Sequence, residues 1–201
     1  MFRSCADIQT KDMLDLVLPK VERETITTKP TAIQREMIKA LGERGEKIRN
    51  KAVSPDADNM LKITNEGRMI ALDPRIVNNL LPDVPDSRVS IVSRKIFDIW
   101  QQTKDDRKTI AVFCDLSTPS AKSAEKGFCV YTDLRDKLIG LGIPEKEIAF
   151  IHDVDTEAKK KDLFAKVRTG QVRVLLGSTQ KMGAGTNVQD RLVAVHHLDV
   201  G

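Results

Sequence analysis

The sequence predicts an α/β fold in which residues 87–201 build a parallel sheet flanked by helices and residues 1–86 precede it as a mostly helical lead-in. Three observations predict it. From Ser87 onward, apolar helical faces alternate with short strand-like runs, the pattern of a doubly wound sheet. The runs are rich in β-branched residues and bounded by turn residues, which suits strands covered on both faces. Finally, the runs Val172–Leu176 and Leu192–Val195, the second continued by Leu198, enclose a polar loop punctuated by Gly177, Gly183 and Gly185. A segment of that kind leaves the C-terminal end of a parallel strand and carries ligand-binding groups, and its glycines let backbone N–H groups approach phosphates.

Residues 1–86 hold little that reads as buried strand. Asp12–Leu18 is a short apolar cluster stopped by Pro19, and Val21–Thr28 alternates as an extended piece would. Pro30 suits a first helical turn, and Ile33, Met37, Ile38, Leu41 and Ile48 recur at helical spacing towards Asn50, with Gly42 and Gly45 expected to loosen the second half. Met60, Leu61 and Ile63 mark another short helical piece, Leu72–Leu81 follows, and the Pro-rich cluster from Pro82 ends the region. Asp86 or Ser87 suits the N-cap of a helix whose apolar face is Val89, Val92, Ile96, Ile99 and Trp100. Thr109–Cys114 reads as a strand and Asp115–Lys126 as a polar loop. Tyr131, Leu134, Leu138 and Leu141 give the next helix its inner face, and Gly142 and Pro144 end it. Ile148–Ile151 is a second strand, and Asp155 is placed to cap a third helix carrying Leu163, Phe164 and Val167.

Composition narrows the function. Hydrophobic residues make up 40% of the 201, enough for a core, and no apolar run approaches the ~20 residues that span a bilayer, so a cytoplasmic protein without a membrane partner is expected. Cys5, Cys114 and Cys129 show no paired spacing and read as reduced thiols, with no zinc site. The net charge of +4, from 33 basic and 29 acidic residues, permits nucleic-acid binding without demanding it. An aromatic content of 4% argues against recognition by base stacking, so any nucleic acid is expected to be held by its phosphates.

No Walker A pattern occurs; the GERGEK stretch at Gly42–Lys47 has the wrong spacing and sits in a predicted helix. Gly183 and Gly185 begin a Gly-x-Gly-x-x-Gly pattern that Val188 breaks, so a dinucleotide site is not expected. His196 and His197, adjacent in a strand, point to opposite faces and cannot converge on a metal. His152 closes a strand beside Asp153, and Lys159–Lys161 fit a solvated helix face. Ser117 and Thr118, just past the first strand, suit either a turn or cap or else a phosphate contact.

Taken together, these stretches resemble the second RecA-like lobe, of P-loop NTPase type, of superfamily-two helicases, and within them the Swi/Snf-type DNA translocases. STQKMGAGTNVQ at Ser178–Gln189 resembles helicase motif V, VFCDLST at Val112–Thr118 resembles motif IV, and FAKVRTGQVRVLLGS resembles the approach to motif V. LPKVE at Leu18–Glu22 and TAIQREMIKAL at Thr31–Leu41 are similar to the segment joining the two lobes, and NMLKITN followed by ALDPR looks like the helix after it. Thr186 stands where the family usually has an aliphatic residue, so the branch is divergent and looks most like the helicase regions of large bacterial mobile-element proteins, many of which also carry an adenine-specific DNA methyltransferase region.

The resemblance implies part of an ATP-dependent, ATP-hydrolysing DNA helicase or translocase of a bacterial cytoplasm, with ATP and Mg²⁺ as cofactors of the complete protein and double-stranded DNA and an N-terminal Walker A lobe as partners. On it, Ser117, Thr118, Ser178, Thr179, Gln180 and Lys181 would meet DNA phosphates. Gly183, Gly185, Thr186, Asn187, Gln189 and Asp190 would face the nucleotide, the last two buttressing the loop. The Walker lobe would precede Met1 and motif VI would follow a strand such as Leu192–Val200, so a lobe truncated at Gly201, inactive towards ATP alone, is expected. Two other readings stay open: a degenerate lobe serving as an interaction scaffold, and a small α/β enzyme acting on a phosphorylated substrate.

Overall fold

The computed structural model describes residues 20–120, 127–183 and 186–199. The Asp12–Leu18 cluster, residues 121–126 of the loop up to Lys126, and Gly185 lie outside the described residues. Helix α1 (Ala32–Arg49) starts two residues after Pro30, because Thr31 is its N-cap: the Thr31 hydroxyl accepts from Gln34 N and the Gln34 side-chain oxygen accepts from Thr31 N, a reciprocal capping box. It runs unbroken through Gly42 and Gly45. Asn59 caps α2 (Met60–Leu72), a single helix longer than the short piece expected, and residues 73–81 form a 3₁₀ turn at Pro74–Ile76 followed by irregular chain. Leu41, Ile63 and Ile70 bury a small separate core between these two helices.

Ser87 caps α3 (Arg88–Gln102), as its position in the sequence predicts, and β1 (Thr109–Phe113) follows. Helix α4 (Val130–Leu141) buries Tyr131, Leu134 and Leu138, while Leu141 faces solvent. It ends on Gly142, whose φ of 111° is open to glycine without strain. After β2 (Ile148–Phe150), the residue that caps α5 (Glu157–Arg168) is Thr156 and not Asp155, which instead pairs with Lys159 one turn on. Then come β3 (Val174–Gly177), the short α6 (Thr179–Met182) and β4 (Leu192–His197).

All four strands are parallel, in the order β2-β3-β1-β4. Period two divides the sheet cleanly. Ile110, Val112, Val174 and Leu176 face α3 and α4, while Ala111 and Leu175 face α5, Met182 and Val188. Burial of each such aliphatic side chain is worth about 1.5–3 kcal/mol. The edge strand departs from expectation: Val193 and Val195 are 48% and 47% exposed, because β4 has a neighbour on one side only and no helix lies over that face among the described residues. The lead-in is tied to the sheet by Arg75, which bonds Asp73 and reaches Asp133 of α4 at 2.9 Å, and by the Lys95–Glu24 pair.

Candidate functional site

Three parallel strands end side by side, and the residues just past their C-terminal ends meet. Beyond β4, the buried Asp199 carboxylate accepts from the backbone N–H groups of Asp115 (2.9 Å) and Leu116 (2.6 Å), pinning the exit of β1. The Asp115 side chain then turns outward to β3. It accepts from Thr179 N at 2.7 Å and from Thr179 Oγ1 at 2.8 Å. Asp199 therefore fixes the backbone whose side chain holds Thr179, and the loops after β1 and β3 act as one surface.

Ser117 supports this edge in a different way. Its backbone sits at φ 57°, a left-handed conformation that costs a non-glycine residue about 1–2 kcal/mol. Its Oγ accepts from Val130 N at 3.1 Å, supplying the cap that Cys129 does not give α4. Of the two readings open for Ser117, the structure displays the cap. Thr118 is half-buried, Ser178 is buried at the start of α6, and Thr179, Gln180 and Lys181 are exposed.

Gly177 and Gly183 each have a role within the fold. A Cβ on Gly177 would lie 2.2 Å from Met182 Sδ and 2.5 Å from Ile151 Cγ2, so glycine there lets α6 fold back onto the strand end. Gly183 donates its N–H to Thr179 O at 2.7 Å, closing α6. Among the described residues the nucleotide-facing candidates do not converge. Gln189 and Asp190 sit in the turn leading into the first residue of β4, at the opposite end of the sheet, and are exposed; they do not buttress Thr179, a task that falls to Asp115. Thr186 is half-buried, and the Asn187 carbonyl accepts from Arg168 at the end of α5.

His196 and His197 face opposite ways, as strand geometry requires. His197 stacks on Phe113 with ring centroids 5.1 Å apart, while His196 Nε2 is buried without a hydrogen-bond partner. Burial, with Lys95 nearby, lowers the His196 pKa. Burial, with Lys181 nearby, does the same for His152, which lies edge-on to Tyr131. The Tyr131 hydroxyl donates to Cys114 O at 2.5 Å. Burial pushes both the Cys114 thiol and the Tyr131 phenol far above their ordinary values, so neither ionises as a nucleophile. Among the described residues no group of His, Cys, Asp or Glu is placed to hold a metal ion, and no helix is long and apolar enough to cross a membrane. The groups exposed along this edge are the Thr179 hydroxyl, the Gln180 amide and the Lys181 ammonium.

Asp115 and Asp199 escape a motif-based reading because they meet across 84 residues of sequence. Their signal is positional: each stands two residues beyond the end of a parallel strand, where α/β folds place polar groups. Compared with known proteins, the chain matches no family model and no curated protein.

Proposed function

We propose that this chain is the second RecA-like lobe of a Swi/Snf-type, ATP-dependent double-stranded-DNA translocase, and that its part is to hold the duplex by its phosphates. The observation that carries the reading is the union of the loops after β1 and β3 into one polar surface, with Thr118, Thr179, Gln180 and Lys181 along it. The helical lead-in and the all-parallel sheet agree with the resemblance. Contacts to phosphate fix position and carry no sequence information, as a translocase needs.

ATP and Mg²⁺ belong to the reading through the resemblance. The residues assigned to face the nucleotide do not fit one pocket here: Gly183 spends its N–H within α6, and Gln189 and Asp190 stand at the far end of the sheet. No step is derived through the nucleotide. An adenine-specific methyltransferase region in the same polypeptide remains part of the proposal.

The interaction-scaffold reading has one observation in its favour, the saturation of the two Thr179 donors by Asp115. The two readings part in a polypeptide that also carries the Walker lobe. For the translocase, Thr179→Ala combined with Lys181→Ala lowers DNA-stimulated ATP hydrolysis while basal hydrolysis holds. Equal loss of both would move the loop to the nucleotide side, and no loss of either would favour the scaffold.

A further inference from the structure

We infer that the Asp115 carboxylate stands in for a phosphate on Thr179, so that this contact and a nucleic-acid phosphate exclude one another. The inference rests on the phosphate-holding reading given above. Thr179 offers a backbone N–H and a hydroxyl, and Asp115 takes both, one with each carboxylate oxygen. A carboxylate and a phosphate compete for the same donors by the same charge-assisted geometry. A phosphate that approached Thr179 with Asp115 in place would find no free hydrogen on it and a negative charge beside it.

The contact is built to open without disturbing the fold. Asp115 and Thr179 are both exposed, so the displaced carboxylate is rehydrated at once. The backbone at Asp115 is held separately by the buried Asp199 through the N–H groups of residues 115 and 116. The moving part is thus one side chain turning about its own rotatable bonds, between a staggered state on Thr179 and one in solvent. In the free protein the contact keeps the loop after β3 in register with the loop after β1, and it blocks binding of adventitious anions. A duplex that presents phosphates to Lys181 and Thr118 as well as to Thr179 outcompetes a single carboxylate.

The test is fluorescence anisotropy of a labelled 20-base-pair duplex titrated with the 201-residue chain, in its natural form and as Asp115→Ala, Asp115→Asn, Thr179→Ala and the Asp115→Ala/Thr179→Ala double variant. Asp115→Ala is expected to bind roughly 3- to 10-fold tighter, the worth of one or two freed hydrogen bonds. Asp115→Asn, which keeps an acceptor but loses the charge, should fall between, and the double variant should lose the gain. If Thr179→Ala weakens binding while neither Asp115 variant tightens it, the phosphate-holding reading survives and this inference is overturned. If none of the variants alters binding, the reading itself fails and the inference with it. A second readout is the Thr179 amide resonance of the natural chain during the titration, which must move together with the Asp115 carboxylate carbon; movement of one alone would also overturn the inference.

Discussion

The two ends of the same four strands solve opposite problems. At the N-terminal end, Arg173 opens β3 with a guanidinium that is 1% exposed. It donates to Lys108 O, Trp100 O, Thr103 O and Thr103 Oγ1, all within 3.0 Å, and lies 5.1 Å over the Trp100 ring. Burial pulls its pKa below the ordinary value, against which the Glu147 carboxylate acts. Glu147, also buried, accepts from Trp100 Nε1 and Arg107. At the C-terminal end, Asp115 and Thr179 are satisfied just as fully, but in water. What differs is the cost of exchange. Partners at the first end cannot be replaced by solvent, so that end stabilises; partners at the second can be replaced, so that end can bind.

The largest effect should come from breaking the first end. Arg173→Met takes the guanidinium donor from three backbone carbonyls, of which Thr103 O still accepts from Lys108 N, and is expected to cost about 3–5 kcal/mol of stability, measured by urea unfolding. Thr179→Ala at the other end should cost no more than about 1 kcal/mol. Equal losses would erase the distinction between the ends.

Next in size is Gly177→Ala, which forces a methyl group into the space of Met182 and Ile151 and should cost about 1–3 kcal/mol. The clash should show as coupling, Gly177→Ala costing less in a Met182→Ala background than in the natural chain, because the larger clash is with Met182. An equal cost in both backgrounds would point to the backbone and not to packing.

Ser117→Ala removes the acceptor for Val130 N and keeps the left-handed backbone, so a loss of about 0.5–2 kcal/mol is expected. Thermal melts followed by circular dichroism would measure it. No loss would mean that water replaces the hydroxyl there.

The smallest effect concerns pH. His152 and His196 are held below their ordinary value near 6.5, so the unfolded chain binds protons that the folded chain refuses. Stability should be fully present above about pH 6.5 and decline as pH falls through the lowered folded values. In His196→Asn the decline over that window should be shallower; an unchanged profile would assign it to other groups.

Much of the fold was legible in the sequence because it rests on local and periodic signals. Ser87 before an apolar helical face, and the alternation of Ile110 and Val112 with Ala111, each report their surroundings directly. Helix starts were legible to within two residues: Thr31 caps the helix whose first turn Pro30 suggested, and Thr156, rather than Asp155, bonds the first free N–H of its helix. The exposed face of β4 was not legible, since a β-branched run reads the same with one neighbour or two. Arg173 was hidden for a similar reason, because a charge in a strand normally signals the solvent side and here its acceptors come from residues 100–108. In the candidate site, Ser117, Thr118 and Ser178–Lys181 were singled out from their place after strands, and of these Ser117 caps α4 and Ser178 is buried. Asp115 and Asp199, which hold the loop, were missed because their bonds exist only once the strands are adjacent.

If the C-terminal edge holds duplex phosphates without reading sequence, as proposed, the salt dependence of duplex binding by the 201-residue chain and by its Lys181→Ala variant must show it. Log affinity should fall linearly with log salt, equally for duplexes of unrelated sequence, and Lys181→Ala should reduce the slope by roughly 1. Binding that is indifferent to salt, or a slope that Lys181→Ala leaves unchanged, would contradict it.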